Sequence, residues 1–276
     1  VAFTSLAPLE TAPDQELTAA RIDSLAPLTS PQVRFQLESD ALLLEGGRLS
    51  VGGGEAVLAP TRIPFSNGQV WAGELRLDGV QLSDFVEGSP FADRVDLDAK
   101  VSGTLPFEVT PEGIRFIEGR LAAIQPGTLS IRREALTTVD ATGGGARAEL
   151  ETPGGEGAAT VTEEPDTNTA VDFAYQAMEH LAFDLLDAEV NSLPGGRLGV
   201  LFHIRGEHAP PQRQEIRLTL AELISRNFLN RELPLPSGTK VDLTLDTSLN
   251  LDQLLRDYVE AQESAGSAEV QAPPPD

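Results

Sequence analysis

The sequence feature that most constrains the fold is a strict two-residue alternation between residues 95 and 109. The odd positions of this segment carry the apolar residues Val95, Leu97, Ala99, Val101, Leu105, Phe107 and Val109, interrupted only at Gly103. The even positions are charged or polar, apart from Pro106. Because successive side chains of a β-strand point to opposite sides, the pattern predicts a strand with one apolar and one polar face. At about 3.3 Å per residue it would span roughly 50 Å, well above the usual length of about five or six residues.

Similar alternation recurs on both sides of this segment and predicts a mainly β chain. Strands are expected at residues 33–37, 41–44, 49–51, 70–82, 114–124, 129–131, 198–204, 216–220 and 241–249, with a turn at Gly46-Gly47 between the second and the third. In the 70–82 segment the apolar phase shifts near Gly79, which predicts a β-bulge there. Pro106 has no N–H to donate, so a bend, a bulge or an edge position is expected at that residue. Two short amphipathic helices are predicted at residues 170–181 and 251–259 from their apolar stripes.

The composition excludes several classes of function. The 276 residues include 43 acidic and 20 basic ones, a formal charge of −23, which repels nucleic-acid phosphates. The chain has no cysteine, so thiolate catalysis and cysteine-based zinc sites are excluded. His180, His203 and His208 do not follow a metal-binding spacing, and the glycine clusters lack a P-loop lysine. We therefore predict neither a catalytic site nor a metal or cofactor site.

Acidic pairs on predicted strands are candidates for hydrolytic or calcium-binding groups. Asp96 and Asp98 share one strand face, and Asp242 and Asp246 share another. Each pair lies opposite the apolar side, where a solvated surface is expected. We interpret both pairs as surface carboxylates.

The apolar strand faces admit two interpretations. They form either the closed core of a β-sandwich, serving a structural or adhesive module, or an open groove for an apolar ligand. The unusual strand length favours the groove. Its candidate lining residues are Val95, Leu97, Val101, Leu105, Phe107, Leu198, Val200, Phe202, Ile204, Val241, Leu243 and Leu245.

Three segments resemble a known family. Residues 233–255 (LPLPSGTKVDLTLDTSLNLDQLL), 73–85 (GELRLDGVQLSDF) and 170–190 (AVDFAYQAMEHLAFDLLDAEV) are similar to the YdbH-type proteins of Gram-negative bacteria, within the AsmA and TamB-like superfamily. The resemblance covers roughly residues 70–260, with little in the N-terminal third. An older label on the family is dicarboxylate transport, which no basic pocket in this sequence supports.

The resemblance implies a periplasmic bridge between the inner and outer membranes, with its membrane anchor outside this chain. It implies a twisted, curved sheet of long antiparallel strands that forms an open groove, or β-gutter, for phospholipid acyl chains. It also implies docking of a small outer-membrane lipoprotein (YnbE-like) by β-strand addition. We expect the docking edge on the last strand, around Leu243 and Leu245, because a gutter leaves its terminal strand unpaired.

These expectations divide the chain into five segments. Residues 1–32 are predicted to be an N-terminal arm, part helical between residues 14 and 28, and residues 33–136 the first part of the groove. Residues 137–169, rich in Gly and Glu, are predicted to be a flexible insertion. Residues 170–262 are predicted to hold a helix and the C-terminal part of the groove, and residues 263–276 a disordered tail.

Overall fold

The computed structural model describes residues 1–22, 27–66, 68–89, 92–132, 145–152, 155–161, 170–212 and 234–250. Within these ranges the chain is mainly β, as predicted. Seventeen of the described strands belong to one sheet, and two more form a separate hairpin. The predicted helix at 251–259, the predicted strand at 216–220 and the tail at 263–276 lie outside the described residues.

The first half of the chain consists mainly of antiparallel strands that are joined by short connections. Its elements are β1 Phe3–Leu6, β2 Leu9–Thr11, β3 Gln15–Thr18, β4 Arg21–Ile22, β5 Leu28–Leu37, β6 Ala41–Val51, β7 Gly54–Leu58, β8 Thr61–Pro64, β9 Trp71–Gln81 and α1 Ser83–Glu87. The hairpin of β1 and β2 is the separate two-stranded sheet.

The second half contains the longest strands and the longer helix. Its elements are β10 Val95–Asp98, β11 Lys100–Thr110, β12 Gly113–Phe116, β13 Gly119–Ala123, β14 Gly127–Ile131, β15 Gly145–Thr152, β16 Gly155–Val161, α2 Ala170–Glu179, β17 Leu181–Leu193, β18 Arg197–His208 and β19 Lys240–Asn250. The predicted strand at 95–109 is therefore present as β10 and β11, separated only at Ala99. The predicted helix at 170–181 is present as α2.

The strand pairings define the order of the sheet, and all of them are antiparallel. From one end the order is β3 and β4, β5, β6, β7 and β8, β9, then β11 with β10 continuing it. Next come β12, β13 and β14, followed by β17, β18, β19, β15 and β16. Within the described residues the end strands β3 and β4 do not pair with β16. The sheet is an open, curved groove.

One predicted irregularity is confirmed at Gly79. Val101 pairs with Val80, but Gly103 pairs with Leu77, so β9 carries an extra residue at this point. Gly79 has a φ of 61°, which a glycine adopts without steric cost. The bulge keeps apolar residues on the same side of β9 above and below it.

Pro106 coincides with a second irregularity. On one side it pairs with Glu74 of β9. On the other side Ile117 and Glu118 separate β12 from β13, and the Ile117 N–H donates to the Pro106 carbonyl over 3.0 Å. The missing N–H of proline therefore falls where the ladder is interrupted, as expected.

Two segment assignments differ from the sequence prediction. Residues 15–18 and 21–22 are the strands β3 and β4 on the edge of β5, not part of a helix. Pairing with the long β5 outweighs the local helical composition, because the ladder satisfies the backbone groups of both strands.

The proposed insertion at 137–169 contains the paired strands β15 and β16, and β15 also pairs with β19. A backbone ladder does not require large apolar side chains, which is why composition alone missed this hairpin. Consequently β19 is an interior strand paired with both β18 and β15, and the expectation of a free edge around Leu243 and Leu245 is wrong.

Candidate functional site

The register places the apolar residues of neighbouring strands on the same side of the sheet. Leu105 lies opposite Leu75 of β9, and Leu75 lies opposite Leu58 of β7. In the other direction, Val101 lies opposite Ala123 of β13. Because directly paired residues project to the same side, these pairings join the separate strand patterns into one continuous surface. We call this surface the apolar face, and the opposite surface the polar face.

One region of the apolar face is fully covered. The helix α2 packs there together with Leu235, which lies in the 234–239 segment before β19. The covered region comprises Ala99, Val101, Leu129, Ile131, Leu181, Phe183, Leu186, Ile204, Val241, Leu243 and Leu245. Val101 and Leu243 have 0% exposure, so no surface is left there for a ligand.

Outside this region much of the apolar face is half-buried. This open region includes Val33, Phe35, Leu44, Leu58, Trp71, Leu105 and Phe107, on strands β5 to β11. A smaller cluster, in which Val51, Ala56 and Val80 are buried, lies between β6, β7 and β9. Another is formed by Ala188, Val190 and Val200 of β17 and β18. A wide apolar surface in contact with solvent is unusual and typically marks a binding site.

The twelve predicted groove residues divide between these environments. Val101, Ile204, Val241, Leu243 and Leu245 are buried in the covered region, and Val200 is buried in the cluster on β17 and β18. The half-buried candidates are Val95, Leu97, Leu105, Phe107, Leu198 and Phe202. Val95, Leu97 and Phe202 lie at the margin of the covered region. Whether any of the twelve contacts lipid stays a prediction.

An aromatic pair marks the open region, and sequence reasoning missed half of it. The rings of Trp71 and Phe107 meet edge to face, with centroids 5.8 Å apart and planes at 79°. The sequence pattern predicts Phe107 as a groove residue and Trp71 only as part of a strand. The alternation of Trp71 with Leu75 indicates that both side chains lie on the apolar face. That Trp71 lies opposite Val109, and thus near Phe107, follows only from the register of β9 and β11.

The polar face carries the charges, including the carboxylates considered as catalytic groups. Asp96, Asp98, Asp242 and Asp246 are all exposed. The Arg205 guanidinium donates to Asp242 across the β18–β19 pair at 3.3 Å, and the Lys240 ammonium lies 2.9 Å from Glu207. Among the described residues, groups of three or more His, Asp or Glu side chains that could hold a metal ion are absent.

A cavity of 620 Å³ lies on the polar face of β5 to β9. Its charged lining consists of Arg34, Arg48, Arg76, Glu45, Glu55 and Glu74. The lining contains three guanidinium groups and three carboxylates, so it has no net charge to select an anion or a cation. We assign no ligand to this cavity.

The single open sheet and its one-sided apolar face define a groove-forming β protein with a surface suited to an apolar ligand. A family model described as "YdbH-like: Intermembrane phospholipid transport protein YdbH" matches residues 1–144. The chain belongs to this YdbH-like family of intermembrane phospholipid transport proteins. No curated protein and no solved structure matches the chain.

The matched range differs from the range of the resemblance in the sequence. The two overlap at residues 70–144, and the match also includes the N-terminal third, where little resemblance was expected. Residues 1–69, which the resemblance does not include, form β1 to β8. None of the helices in the described part of the chain is long and apolar enough to cross a membrane.

Proposed function

We propose that this chain is a non-enzymatic, periplasmic segment of a bridge between the two membranes, and that phospholipid acyl chains move along its open apolar region. The observation that carries the proposal is the half-buried apolar surface on β5 to β11. Each methylene group that leaves water for such a surface contributes about 0.8 kcal/mol. A surface of branched apolar side chains has no directional contacts, so it can bind a chain at many positions and still let it move.

The architecture supports a groove rather than the alternative of a closed β-sandwich. The strands from β3 to β19 form one continuous sheet, whereas a sandwich consists of two sheets packed face to face. In a sandwich the inner face is buried along its whole length. Here Leu105 and Phe107 on β11 keep solvent contact while Val101, on the same strand, has none.

The single tryptophan provides a direct test. Trp71 lies on the apolar face, so a phospholipid with brominated acyl chains should quench its fluorescence, and the same lipid without bromine should not. The purified chain is titrated with both lipids below their vesicle-forming concentration. Equal fluorescence with the two lipids would contradict acyl-chain binding in the open region.

A crosslinking experiment tests the same surface in cells. Phe107 is replaced by the photoreactive aromatic residue p-benzoylphenylalanine, which resembles phenylalanine in shape. The matched control places the same residue at Glu108, which is next in β11 and lies on the polar face. We expect phospholipid capture at position 107 and not at 108. Capture at 108 alone would reject the proposal.

We further propose that a small outer-membrane lipoprotein (YnbE-like) docks by strand addition at β16, in place of the interior β19. Within the described residues β16 pairs with β15 alone. An edge strand directs alternate N–H groups to its free side, and these groups can pair with an added strand.

Proline substitutions test this edge. Ala158→Pro and Ala159→Pro are made separately, because one of two adjacent residues directs its N–H to the free side. Ala158→Ser and Ala159→Ser are the controls, since serine keeps the N–H. Co-purification of the lipoprotein should be lost with at least one proline and retained with both serines. Retention with both prolines would place the interface elsewhere.

A further inference from the structure

The boundary between the covered and open regions lies within individual strands. Along β11, Val101 is fully buried, whereas Leu105 and Phe107 are half-buried. Along β18, Ile204 is 2% exposed, whereas Phe202 and Leu198 are half-buried and Val200 between them is buried in the separate cluster on β17 and β18. The sequence pattern is equally apolar on both sides of each boundary. The difference is therefore due to what lies on the sheet and not to the sheet itself.

The covering element is α2, and its composition suits a filling role. Ala174 and Ala177 are fully buried, and such small side chains let a helix lie close to a sheet. Tyr175 and Met178 have 1% and 0% exposure and occupy the remaining space with their long side chains. Together these residues fill the volume that an acyl chain would need above Val101 and Leu243.

Hydrogen bonds fix α2 at this position. The Leu235 N–H donates to the Gln176 side-chain oxygen at 2.7 Å, which joins the helix to the 234–239 segment. The Ala209 N–H donates to the His180 carbonyl at 2.8 Å, which joins the residue after α2 to the residue after β18. His208 and Thr239 are joined by a further backbone hydrogen bond of 2.9 Å. Hydrogen bonds therefore connect α2 both to the 234–239 segment and to the end of β18.

We propose that α2 and the 234–239 segment form the end of the acyl-chain path on this sheet. Acyl chains bind the open region on β5 to β11 and stop where α2, which lies against β14, β15, β16 and β18, covers the apolar residues of β14 and β17 to β19. The inference rests on the proposed lipid-binding function and adds to it a defined end and the residues that form it. The side chains of Met178 and Tyr175 exclude lipid because they occupy the space that an acyl chain would need.

A photoreactive lipid maps this boundary without altering the protein. The full chain is loaded with a phosphatidylethanolamine that carries a diazirine in one acyl chain, irradiated and digested, and the labelled peptides are identified by mass spectrometry. We expect labels on β6, β9 and residues 105–110 of β11. Residues 241–245 of β19, which lie beneath α2, should carry none.

Removing the filling side chains should extend the path. Met178→Ala and, separately, Tyr175→Ala should bring labelling of residues 241–245 from background to the level found on β11. The matched control is Glu179→Ala, on the half-exposed side of α2, which should leave the labelling pattern unchanged. Amide hydrogen exchange of β18 and β19 confirms that each variant keeps its sheet.

The possible results separate the two proposals. Labelling of residues 241–245 in the unaltered chain would overturn the inference while leaving lipid binding intact. Unchanged labelling in both Met178→Ala and Tyr175→Ala would also overturn it, because α2 side chains would not then be what excludes the lipid. Absence of labelling everywhere would refute the proposed function, and the inference with it.

Discussion

Alanine substitution at two glycines of the sheet should change stability in opposite directions. Gly103 lies on β11, opposite Leu121 of β13. A Cβ at Gly103 would overlap the Arg120 carbonyl oxygen and come within 2.8 Å of the Leu121 Cα. Carbon atoms in contact are about 3.5–4.0 Å apart, so β13 would have to move by about 1 Å. Gly47 on β6 is the control, because its Cβ would meet neighbours only at 3.5–3.6 Å.

The magnitude follows from the ladder between β11 and β13. A shift of about 1 Å breaks the pairing of Gly103 and Thr104 with β13, and two backbone hydrogen bonds contribute about 1–3 kcal/mol together. Gly103→Ala should thus lower the Tm by about 2–12 °C at about 2–4 °C per kcal/mol. Gly47→Ala should raise stability by up to about 1 kcal/mol, because alanine loses less backbone entropy than glycine on folding.

Thermal unfolding followed by circular dichroism, together with urea unfolding, measures both variants. Gly47→Ala also tests whether replacing any glycine of the sheet by alanine lowers the stability. If Gly103→Ala unfolds at the same temperature as the unaltered chain, the close approach of β11 and β13 is refuted. If both variants are destabilised equally, the cause is not the contact with Arg120 and Leu121.

Three further predictions concern the two regions of the apolar face and the polar face. Leu243→Ala should lower the free energy of unfolding by about 2–5 kcal/mol, because Leu243 is fully buried, and Leu105→Ala should lower it less; urea unfolding compares them. Gln176→Ala should speed amide exchange at Leu235, whose N–H loses its acceptor, while exchange in β9 stays unchanged. Arg205→Ala should change stability by only about 0–1 kcal/mol and equally little at high salt, since both partners of its ion pair are exposed; a loss above about 2 kcal/mol would contradict this view of the polar face.

Much of the sheet could be predicted from side-chain periodicity because the strands are long and one-sided. The alternation from Val95 to Val109 fixes which side chains share a face, and no tertiary contact changes that parity. The phase shift at Gly79 was sufficient to predict a bulge, since only an inserted residue restores the pattern on one side. The one gap in the alternation, at Gly103, was visible in the sequence, but its cause was not. Only the register shows that the β13 backbone lies too close there for a side chain.

Strands with few large apolar residues could not be predicted from side-chain periodicity. The strand β3 (residues 15–18) forms beside the longer β5, and β15 (residues 145–152) forms beside the longer β19. The strand β16 (residues 155–161) then pairs with β15. Their stability comes from backbone pairing over a long sequence separation, and composition does not encode which distant strand is available. This is also why β19 was mistaken for an edge strand. The strand that covers its free side lies about a hundred residues earlier in the chain.

The division of the apolar face between core and groove is the part of the site that no strand pattern can specify. Val101 and Leu105 occupy equivalent positions in the alternation, yet the first is covered and the second is half-buried. The information lies in α2, whose apolar stripe was recognised, but whose docking position depends on residues from five strands. The apolar stripe of α2 shows that one side of the helix must be buried. It does not show which strands that side packs against. Because the helix is linked to β17 through His180 alone, it must lie near the start of that strand. This short connection explains why α2 covers the part of the sheet around β17 to β19 and leaves the strands from β5 to β9 open.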